Sequence, residues 1–261
     1  MTASSCVRRA TVRDERESVT DPWNLSRVMP AEGGATMLMD PAADPADVVV
    51  LLGGDPLPGH GLPELPSRAF VIAADSGLHL ARDHGLPVHL LVGDLDSVDA
   101  AQLAAIRADG VPVQQHPVDK DRTDLAIALD VAVGLAPARV TLLGGHGGRL
   151  DHLLGNALVL ASSAYAAIEL TARVAGATIT VVREHRTLHG TAGDLVSLLP
   201  VAGDARGITT EGLRFALRDE DLAAGSTRGI SNSFLSDRAT VRVRAGVLLA
   251  VQPGPTDPEP A

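Results

Sequence analysis

The sequence predicts an α/β fold class: a doubly wound, mostly parallel α/β domain followed by a smaller antiparallel β domain. Four short apolar runs each end in Gly or Asp, namely VVVLLGG, AFVIAAD, HLLVGD and RVTLLGG. Helix-like stretches lie between them, such as SGLHLARDHG, SVDAAQLAAIRADG and TDLAIALDVAVG. Continuous apolar strands that alternate with helices are typical of a parallel sheet covered on both faces.

The pattern changes to strands after about residue 175. ATITVV, DLVSLLP, ARGITT, RATVRVRAG and VLLAVQP are short, and some alternate polar with apolar residues between Gly and Pro. They indicate a second, mostly antiparallel β domain. We therefore predict an α/β domain over residues 46–175 and a β domain over residues 176–254.

The two ends of the chain are predicted to be disordered tails. Residues 1–45 have no sustained period of 2 or 3.6 and are rich in Ala, Pro, Gly and charge. Residues 255–261 form a second short tail. Met29, Met37 and Met39 leave open a later start. The first residues contain no apolar segment, so no secretory signal is expected.

Composition narrows the range of partners. The 261 residues are 45% hydrophobic, yet no apolar run reaches the length of a membrane span. A net charge of −10 argues against a nucleic-acid surface, because phosphate backbones are bound mainly by Lys and Arg. Cys6 is the single cysteine, which excludes an internal disulfide and favours a reducing compartment. We expect a cytoplasmic protein that binds neither nucleic acid nor membrane.

Polar residues follow three of the predicted parallel strands at the point where each strand ends. Asp75 follows AFVIAA, Asp94 and Asp96 follow HLLV, and GGHGGRLDH follows VTLL. Taken alone, DLDS also suits a helix cap or an ordinary polar turn. Ligands of open α/β sheets bind outside the carboxyl ends of the strands. Three such ends at one edge therefore favour a binding site.

The chemistry that suits this edge is phosphate transfer with a divalent cation. Mg²⁺ takes oxygen ligands and is usually held by one or two carboxylates, substrate phosphates and water. Asp94 and Asp96 supply such a pair on a tight turn, and Asp124 in KDRTD offers a third carboxylate. Asp124 equally suits a helix start, where the dipole favours an acid. Lys120 and Arg122 are candidates for phosphate contacts, although solvated surface charge is the commoner role.

The stretch GGHGGRLDHLLGNALVL carries a second set of candidates. Its glycines, Gly145 among them, let a backbone approach a ligand, and the loop leads into a helix whose free N–H groups favour an anion. It is not a Walker A loop, because no G-K-[ST] follows. His152 and Asn156 are four residues apart and share a helix face. The nine histidines show no metal-ligand spacing, so no His metal site is expected.

Seven motifs in order resemble the thiamine pyrophosphokinase (thiamine diphosphokinase) family. They are ADSG, GDLDS, KDRTD, GGRLDH with Asn156, DLVSLLP, ITTEGLRFAL and GISN, and they extend roughly from Val48 to Pro253. The resemblance implies an α/β nucleotide-binding domain followed by a β-sandwich domain, assembled as a homodimer. It also implies transfer of a pyrophosphoryl group from ATP to the hydroxyl of thiamine, giving thiamine diphosphate and AMP.

The resemblance assigns roles to residues by motif position. It implies that Asp94 and Asp96 bind Mg²⁺, with Asp124 assisting and Asp75 beside them. Asp151 completes the catalytic set near the reacting hydroxyl, and no general base is assigned. The residues expected around ATP and its phosphates are Lys120, Thr123, Gly145, Arg149 and Asn156.

Thiamine is expected in the β domain. The resemblance implies that Phe215 in GLRFAL stacks on thiamine, which suits a cationic thiazolium over an aromatic face. Ser231 and Asn232 match a Ser-Asn pair and are expected to hydrogen-bond the pyrimidine. Phe215 as an ordinary core residue is the alternative. The chain departs from the family at Leu95, at Ser76 in ADSG, and at Ser233 after the Ser-Asn pair.

Two other functions stay open from the sequence. One is pyrophosphoryl transfer to another alcohol, such as a hydroxymethylpterin, on a similar scaffold; TEGLRF and GISN argue against it. The other is a regulator that binds nucleotide or thiamine without turnover. The carboxylates Asp94, Asp96, Asp124 and Asp151 argue against that reading.

Overall fold

The structure is a computed structural model that describes residues 46–57, 62, 64–147 and 149–254. The predicted tails at residues 1–45 and 255–261 lie outside the described residues. The first part of the chain contains the elements β1 (Asp47–Leu52), β2 (Phe70–Ala74), α1 (Gly77–Asp83), β3 (Leu90–Gly93), α2 (Ala100–Ala108), β4 (Val113–Gln115), α3 (Asp124–Gly134), β5 (Arg139–Leu143) and α4 (Leu150–Leu160).

The second part consists of strands, after a 3₁₀ turn at Ser163–Tyr165. In chain order they are β6 (Glu169–Val174), β7 (Ala177–Val182), β8 (His185–His189), β9 (Leu195–Glu211), β10 (Arg218–Leu222), β11 (Asn232–Ser233), β12 (Arg238–Arg242) and β13 (Ala245–Gln252).

Six neighbouring strands form a parallel sheet in the order β4-β3-β2-β1-β5-β6. All five residues of β2 and all four of β3 are buried, which explains why these strands read as unbroken apolar runs. The predicted α/β class and its parallel sheet are confirmed at this level.

The direction in which the chain crosses the sheet reverses between β1 and β5. From β1 the chain moves outward through β2, β3 and β4, and it then returns to place β5 on the other side of β1. Such a topological switch point opens a crevice at the carboxyl ends of the strands, where ligands of this architecture bind. Gly53 and Gly144 directly follow the two strands that flank it.

A two-residue hairpin turn joins the parallel part to the antiparallel part. Ala175 and Gly176 both have positive φ, at 50° and 80°, and Val174 pairs with Ala177 across the turn. Such a pair of left-handed residues closes a tight β-hairpin. The predicted domain boundary at 175/176 therefore lies inside one hydrogen-bonded sheet, which continues through β7-β13-β9-β12-β8.

One long strand links the parts of the antiparallel region. β9 spans 17 residues where the sequence predicted two separate strands, DLVSLLP and ARGITT. Its first half pairs with β13 and its second half pairs with β10 and β12. Ala202 and Gly203, both with positive φ, lie between the halves. The region packs around a core that includes Leu198, Ile208 and Phe234.

Five of the described strands were absent from the predictions: β4, β6, β8, β10 and β11. Their sequences VQQ, ELTARV, HRTLH, RDEDL and NS are short and largely polar, and no more than two residues of each are buried. Their strand conformation comes from pairing with neighbours and not from an apolar run. Among the described residues, no helix is long and apolar enough to cross a membrane.

Two helical glycines allow a matched test of packing between α1 and β1. A Cβ at Gly77 would lie 2.0 Å from the carbonyl oxygen of Leu51, whereas a Cβ at Gly155 in α4 would meet nothing within 4 Å. Gly77→Ala is expected to destabilise the protein by about 1–3 kcal/mol through overpacking. Gly155→Ala is expected to stabilise it by about 0.5–1 kcal/mol. Urea unfolding measures both, and equal effects would contradict the close contact.

Candidate active site

A cleft of about 1030 Å³ opens at the switch point, above the ends of β1, β2, β3 and β5. It brings together nine of the ten residues predicted for catalysis and nucleotide binding, while Asp151 is not among its lining residues. The nine are Asp75, Asp94, Asp96, Lys120, Thr123, Asp124, Gly145, Arg149 and Asn156.

Three carboxylates converge on one side of this cleft. Oxygen atoms of Asp75, Asp94 and Asp96 all lie within 4.8 Å of one another. Asp75 is 8% exposed, and its Oδ1 is buried without a hydrogen-bond partner among the described residues. A buried, unpaired carboxylate oxygen beside two further carboxylates is costly unless a cation neutralises it. This donor set fits a hard divalent cation.

Unusual backbone conformations bring the carboxylates together. Asp75 and Leu95 have φ of 47° and 66°, a region that non-glycine residues seldom occupy. The Asp75 N–H donates to the carbonyl of Val92 at 2.8 Å. Ser76, in contrast, has φ of −61°, so the ADSG motif carries its left-handed residue at Asp75 and not at the serine. Strain of this kind is characteristic of functional sites.

Gly93 allows Asp75 and Asp124 to approach β3. Its φ is 140°, and a Cβ there would lie 3.1 Å from the Cβ of Asp75 and 3.2 Å from Oδ1 of Asp124. A larger residue would have to displace one of the two acids. The glycine of GDLDS therefore sets the distance between carboxylates that come from different strands.

Lys120 connects the carboxylate group to α3. Its Nζ lies 2.8 Å from Oδ2 of Asp94 and 2.7 Å from Oδ1 of Asp124. Burial opposes ionisation of Asp94, but the Lys120 ammonium and the N–H of Asp96 leave the pKa of Asp94 below its ordinary value. Burial likewise opposes the charge on Lys120, and the two carboxylates raise the pKa of Lys120 above its ordinary value. Asp124 thus contacts the group through Lys120, outside the set of three.

Thr123 fixes the start of α3, which presents Asp124 to the cleft. Its hydroxyl oxygen accepts a hydrogen bond from the Ala126 N–H at 3.3 Å and so caps the helix. Asp124 is in the first helical turn, where the dipole favours its charge. Asp124 is therefore a helix-start acid that also lines the cleft, and its role as a third metal ligand stays a prediction.

Arg122 also lines the cleft, but its guanidinium is engaged on α3. It pairs with Asp130 and donates to Tyr165 Oη at 3.3 Å. The Tyr165 hydroxyl donates to Oδ1 of Asp130 at 3.1 Å. Burial and the neighbouring Asp130 raise the pKa of Tyr165 to about 12. The cluster holds the loop before α3, and a phosphate contact by Arg122 has to compete with Asp130.

Glycine-rich segments from β1 and β5 meet across the switch point. The Gly145 N–H donates to the carbonyl of Gly53 at 2.9 Å, and the Asp55 N–H donates to the carbonyl of His146 at 2.8 Å. A Cβ at Gly147 would lie 2.2–2.5 Å from the Asp55 carboxyl group. Side chains are thus excluded from this seam, which leaves the backbone accessible to the cleft.

His146 is a cleft residue that the sequence analysis missed. It is 9% exposed, and its Nδ1 has no hydrogen-bond partner among the described residues. In GGHGG the glycines alone pointed to a binding loop. His146 could have been predicted from its position between these glycines, directly after a strand whose end lies at the cleft.

Arg149 and Asp151 flank the start of α4 as an exposed pair. The Arg149 guanidinium donates to the two carboxylate oxygens of Asp151 at 3.2 and 2.6 Å. The hydrogen bond from Arg149 holds the pKa of Asp151 below its ordinary value. His152 and Asn156, one turn apart as predicted, both line the cleft.

Phe215 and Asn232, two of the three residues predicted for thiamine, line a second pocket of about 550 Å³ in the β region, whereas Ser231 is not among its lining residues. Phe215 is 61% exposed, with the Arg214 guanidinium carbon 5.5 Å from its ring centroid, so the core-residue alternative is wrong. Asn232 is buried against the Phe215 main chain, and Ser231 is exposed with φ of 59°. The lining residues of this pocket and of the cleft do not overlap.

Two family models match this chain in succession. One is described as "Thiamin pyrophosphokinase, catalytic domain" and matches residues 63–172. The other is described as "Thiamin pyrophosphokinase, vitamin B1 binding domain" and matches residues 177–248. Together they extend over most of the described residues, and they meet at the hairpin between β6 and β7.

Individual relatives agree with these matches. The chain is 27% identical over 191 residues to a thiamine pyrophosphokinase of Bacillus subtilis, covering 69% of this chain and 86% of the relative. A crystal structure of the B. subtilis thiamine pyrophosphokinase matches with a TM-score of 0.70 at 25% identity, over 80% of this chain and 100% of that one. A crystal structure of a thiamin pyrophosphokinase from Geobacillus thermodenitrificans matches with a TM-score of 0.66 at 28% identity. This match covers 82% of this chain and 99% of that one.

Tyr165 provides a direct test of the cluster with Arg122 and Asp130. It is the single tyrosine of the chain, so phenolate absorbance reports this residue alone. The midpoint of the Tyr165 titration, its pKa, is expected near 12, because the folded state favours the neutral phenol. This contribution to stability is complete below pH 10 and is lost as the pH rises through 12.

Removing the charge of Asp130 should separate its contribution to the raised pKa of Tyr165 from that of burial. Asp130→Asn is expected to lower the Tyr165 midpoint toward 10, since a neighbouring negative charge no longer opposes the phenolate. Asp119→Asn, at an exposed acid, is the control and should leave it unchanged. A wild-type midpoint near 10, with the circular dichroism spectrum intact, would contradict the observed cluster.

Proposed function

We infer that this chain, which belongs to the thiamin pyrophosphokinase family, forms thiamine diphosphate from thiamine in an ATP-dependent reaction. The observation that carries this conclusion is the succession of the catalytic and vitamin B1 binding family models along one chain. The cleft at the switch point supports it, because its lining combines carboxylates, Lys120 and accessible glycine backbone.

The proposed reaction is transfer of the terminal pyrophosphoryl group. The hydroxyl oxygen of thiamine forms a bond to the β-phosphorus of ATP, the bond from that phosphorus to the α,β-bridging oxygen breaks, and AMP leaves with the bridging oxygen. The hydroxyl proton is released to water or to a neighbouring carboxylate. Such transfers depend mainly on positioning and on charge neutralisation, so no dedicated general base is required.

Mg²⁺ is the proposed metal, held by Asp75, Asp94 and Asp96. The unpaired Oδ1 of Asp75 and the mutual approach of the three carboxylates support this assignment. When bound, the ion would neutralise charge on the ATP phosphates. Asp124, which the family resemblance also implies as a ligand, stays a prediction. Its contact with Lys120 suits a role in holding that ammonium.

Lys120 is the proposed phosphate contact at the base of the cleft. An ammonium has three N–H donors, and Asp94 and Asp124 use two of them. The third is available to a phosphate oxygen. The accessible backbone of Gly145 and the guanidinium of Arg149 complete the proposed phosphate site, and Asn156 supports the glycine loop from α4.

Phe215 and its pocket are the proposed thiamine site. An exposed aromatic face attracts a cationic ring, and this residue is 61% exposed. The pocket and the ATP cleft have no lining residue in common. We propose that two copies of the chain associate, so that thiamine bound by one copy reaches the cleft of the other.

An apolar stripe on α4 supports a homodimer. Leu150, Leu154 and Leu158 are 67%, 57% and 63% exposed and follow one another at intervals of four residues on one helix face. Adjacent exposed leucines are characteristic of an interaction surface. α4 also carries cleft residues, so this face lies beside the site that the second copy would have to reach.

We propose a doubly wound α/β domain at residues 46–175 and a β-sandwich at 176–254. The β-sandwich is supported by β9, which pairs with β13 in its first half and with β10 in its second half. A cytoplasmic location rests on the single cysteine. Between the alternative activities, the vitamin B1 binding model favours thiamine over a pterin as acceptor.

The decisive assay combines the purified chain with ATP, Mg²⁺ and thiamine, followed by chromatography. Equal amounts of thiamine diphosphate and AMP are expected, with neither formed when thiamine or the metal is omitted. ADP in place of AMP would overturn the pyrophosphoryl assignment. Binding of thiamine or ATP without any product would favour the regulator alternative.

Asp94 is the carboxylate whose charge the site needs most, since it contacts Lys120 and belongs to the group of three. Asp94→Asn is expected to leave the thermal unfolding transition in place and to lower kcat by at least about 100-fold. Asp99→Asn is the matched control, because Asn also caps α2 well. Normal turnover by Asp94→Asn would mean that DLDS is an ordinary turn.

The α4 stripe predicts how the dimer can be dissociated. Leu154→Lys is expected to give a monomer by light scattering and to reduce turnover without changing ATP binding, because the cleft itself is intact. Ala104→Lys, at an exposed position of α2, is the control and should remain dimeric. A wild-type monomer with normal turnover would refute the shared site.

A further inference from the structure

Phe215 is exposed, yet its position is fixed by its main chain. The ring is 61% exposed and lies in the segment between Gly212 and Leu217, which is not part of a strand. Among the described residues, little besides the Arg214 guanidinium, 5.5 Å from the ring centroid, contacts such a ring. The hydrogen bonds of its backbone therefore fix the Cα–Cβ bond from which the ring extends.

Both main-chain hydrogen bonds described for Phe215 go to one side chain. The Phe215 N–H donates to Oδ1 of Asn232 at 2.9 Å, and Nδ2 of Asn232 donates to the Phe215 carbonyl at 2.8 Å. Asn232 is only 5% exposed. The carboxamide thus pairs with Phe215 as the backbone of a neighbouring strand would, and it extends the ladder that ends at the Leu213–Phe234 bridge.

Only a carboxamide satisfies this arrangement. It accepts from the Phe215 N–H and donates to the Phe215 carbonyl, and the same Oδ1 accepts from the Ser233 N–H at 2.9 Å. A carboxylate of the same shape would place an oxygen against the Phe215 carbonyl oxygen, and it has no N–H to donate. A shorter side chain would leave both backbone groups without a partner at a buried position.

The interactions of Asn232 argue against its predicted bond to the pyrimidine. Both acceptor sites of Oδ1 are occupied by backbone N–H groups, and one of the two Nδ2 hydrogens is directed at Phe215. Its burial separates it further from a ligand. Neighbouring main chain supports the same segment, because the Arg214 N–H donates to the Ser233 carbonyl at 2.9 Å.

We propose that Asn232 is a positioning residue for thiamine recognition, which acts by holding the main chain from which the exposed Phe215 ring extends toward the substrate. This inference rests on the proposed function. Asn232 then contributes to thiamine binding through Phe215 and not through a hydrogen bond of its own to thiamine. The Asn of GISN thereby determines the position of Phe215, which lies 17 residues earlier in the chain.

Steady-state kinetics provide the first test. Asn232→Asp and Asn232→Ser are each expected to raise KM for thiamine about tenfold, the cost of one misplaced contact, with kcat and KM for ATP unchanged. Asp221→Ala is the matched control: it removes a similar side-chain contact, to the Gly207 N–H at 2.8 Å, elsewhere in the β region. It should leave KM for thiamine unchanged.

A double-mutant cycle separates positioning from direct contact. If Asn232 acts through Phe215, then Asn232→Ser in a Phe215→Ala background should change KM for thiamine by less than about twofold. A full tenfold increase in that background would show that Asn232 contacts thiamine itself and would overturn the proposal. An unchanged KM in Asn232→Ser alone would overturn it as well.

Fluorine NMR gives a readout that needs no turnover. The chain has three phenylalanines, Phe70, Phe215 and Phe234, and the other two are buried. With fluorophenylalanine incorporated, Asn232→Ser should shift or broaden the Phe215 resonance and leave the resonance of Phe70, on the distant strand β2, in place, which also reports an intact fold. An unmoved Phe215 resonance would refute the positioning role.

The same spectra distinguish failure of this inference from failure of the proposed function. Thiamine added to the wild type should move the Phe215 resonance, and Asn232→Ser should need about tenfold more thiamine for the same change. If thiamine diphosphate forms but thiamine leaves the Phe215 resonance unmoved, the inference is wrong and the activity stands. If no product forms, the thiamine titration alone decides the inference.

Discussion

The arrangement of the site depends on the electrostatic cost of bringing carboxylates together at one end of a parallel sheet. Oxygen atoms of Asp75, Asp94 and Asp96 lie within 4.8 Å of one another, and like charges at this distance repel. Lys120 offsets part of the repulsion by contacting Asp94 and Asp124 together. Compensation is incomplete, because Oδ1 of Asp75 has no hydrogen-bond partner among the described residues. The carboxylates thus leave negative charge at this end of the sheet that a bound cation would offset.

The backbone carries the cost of this arrangement as well. Asp75 and Leu95 adopt left-handed conformations that L-residues avoid, and Gly93 removes the side chain that would separate the acids. Buried strands on both sides supply the packing that holds such residues in place. The β region has a similar arrangement, because the buried amide of Asn232 holds the main chain of Phe215, whose aromatic ring is exposed. In both places a rigid interior determines the geometry of groups that face solvent.

Sequence reasoning succeeded where a residue type has few structural uses. Apolar runs identified β1, β2, β3 and β5, and the acids and glycines that follow these strands identified where the cleft lies. It failed where pairing with distant segments determines the conformation. β8 and β10 are polar segments that form strands because β12 and β9 pair with them. His146 is informative only once the fold turns it into the cleft. Asn232 illustrates the same limit, because its motif indicates importance but only the coordinates show that its hydrogen bonds go to Phe215.

The hairpin at Ala175 and Gly176 has a mechanical consequence. It joins the two matched family regions within one sheet, and β6 is bonded to β5 on one side and to β7 on the other. A hinge at this point would have to break a ladder of backbone hydrogen bonds. Closure of one region over the other is therefore disfavoured, and the cleft and the second pocket keep a fixed separation within the chain. In the proposed reaction, the two substrates would then be brought together by movement of loops around the cleft or by the proposed second copy, and not by a hinge between the regions.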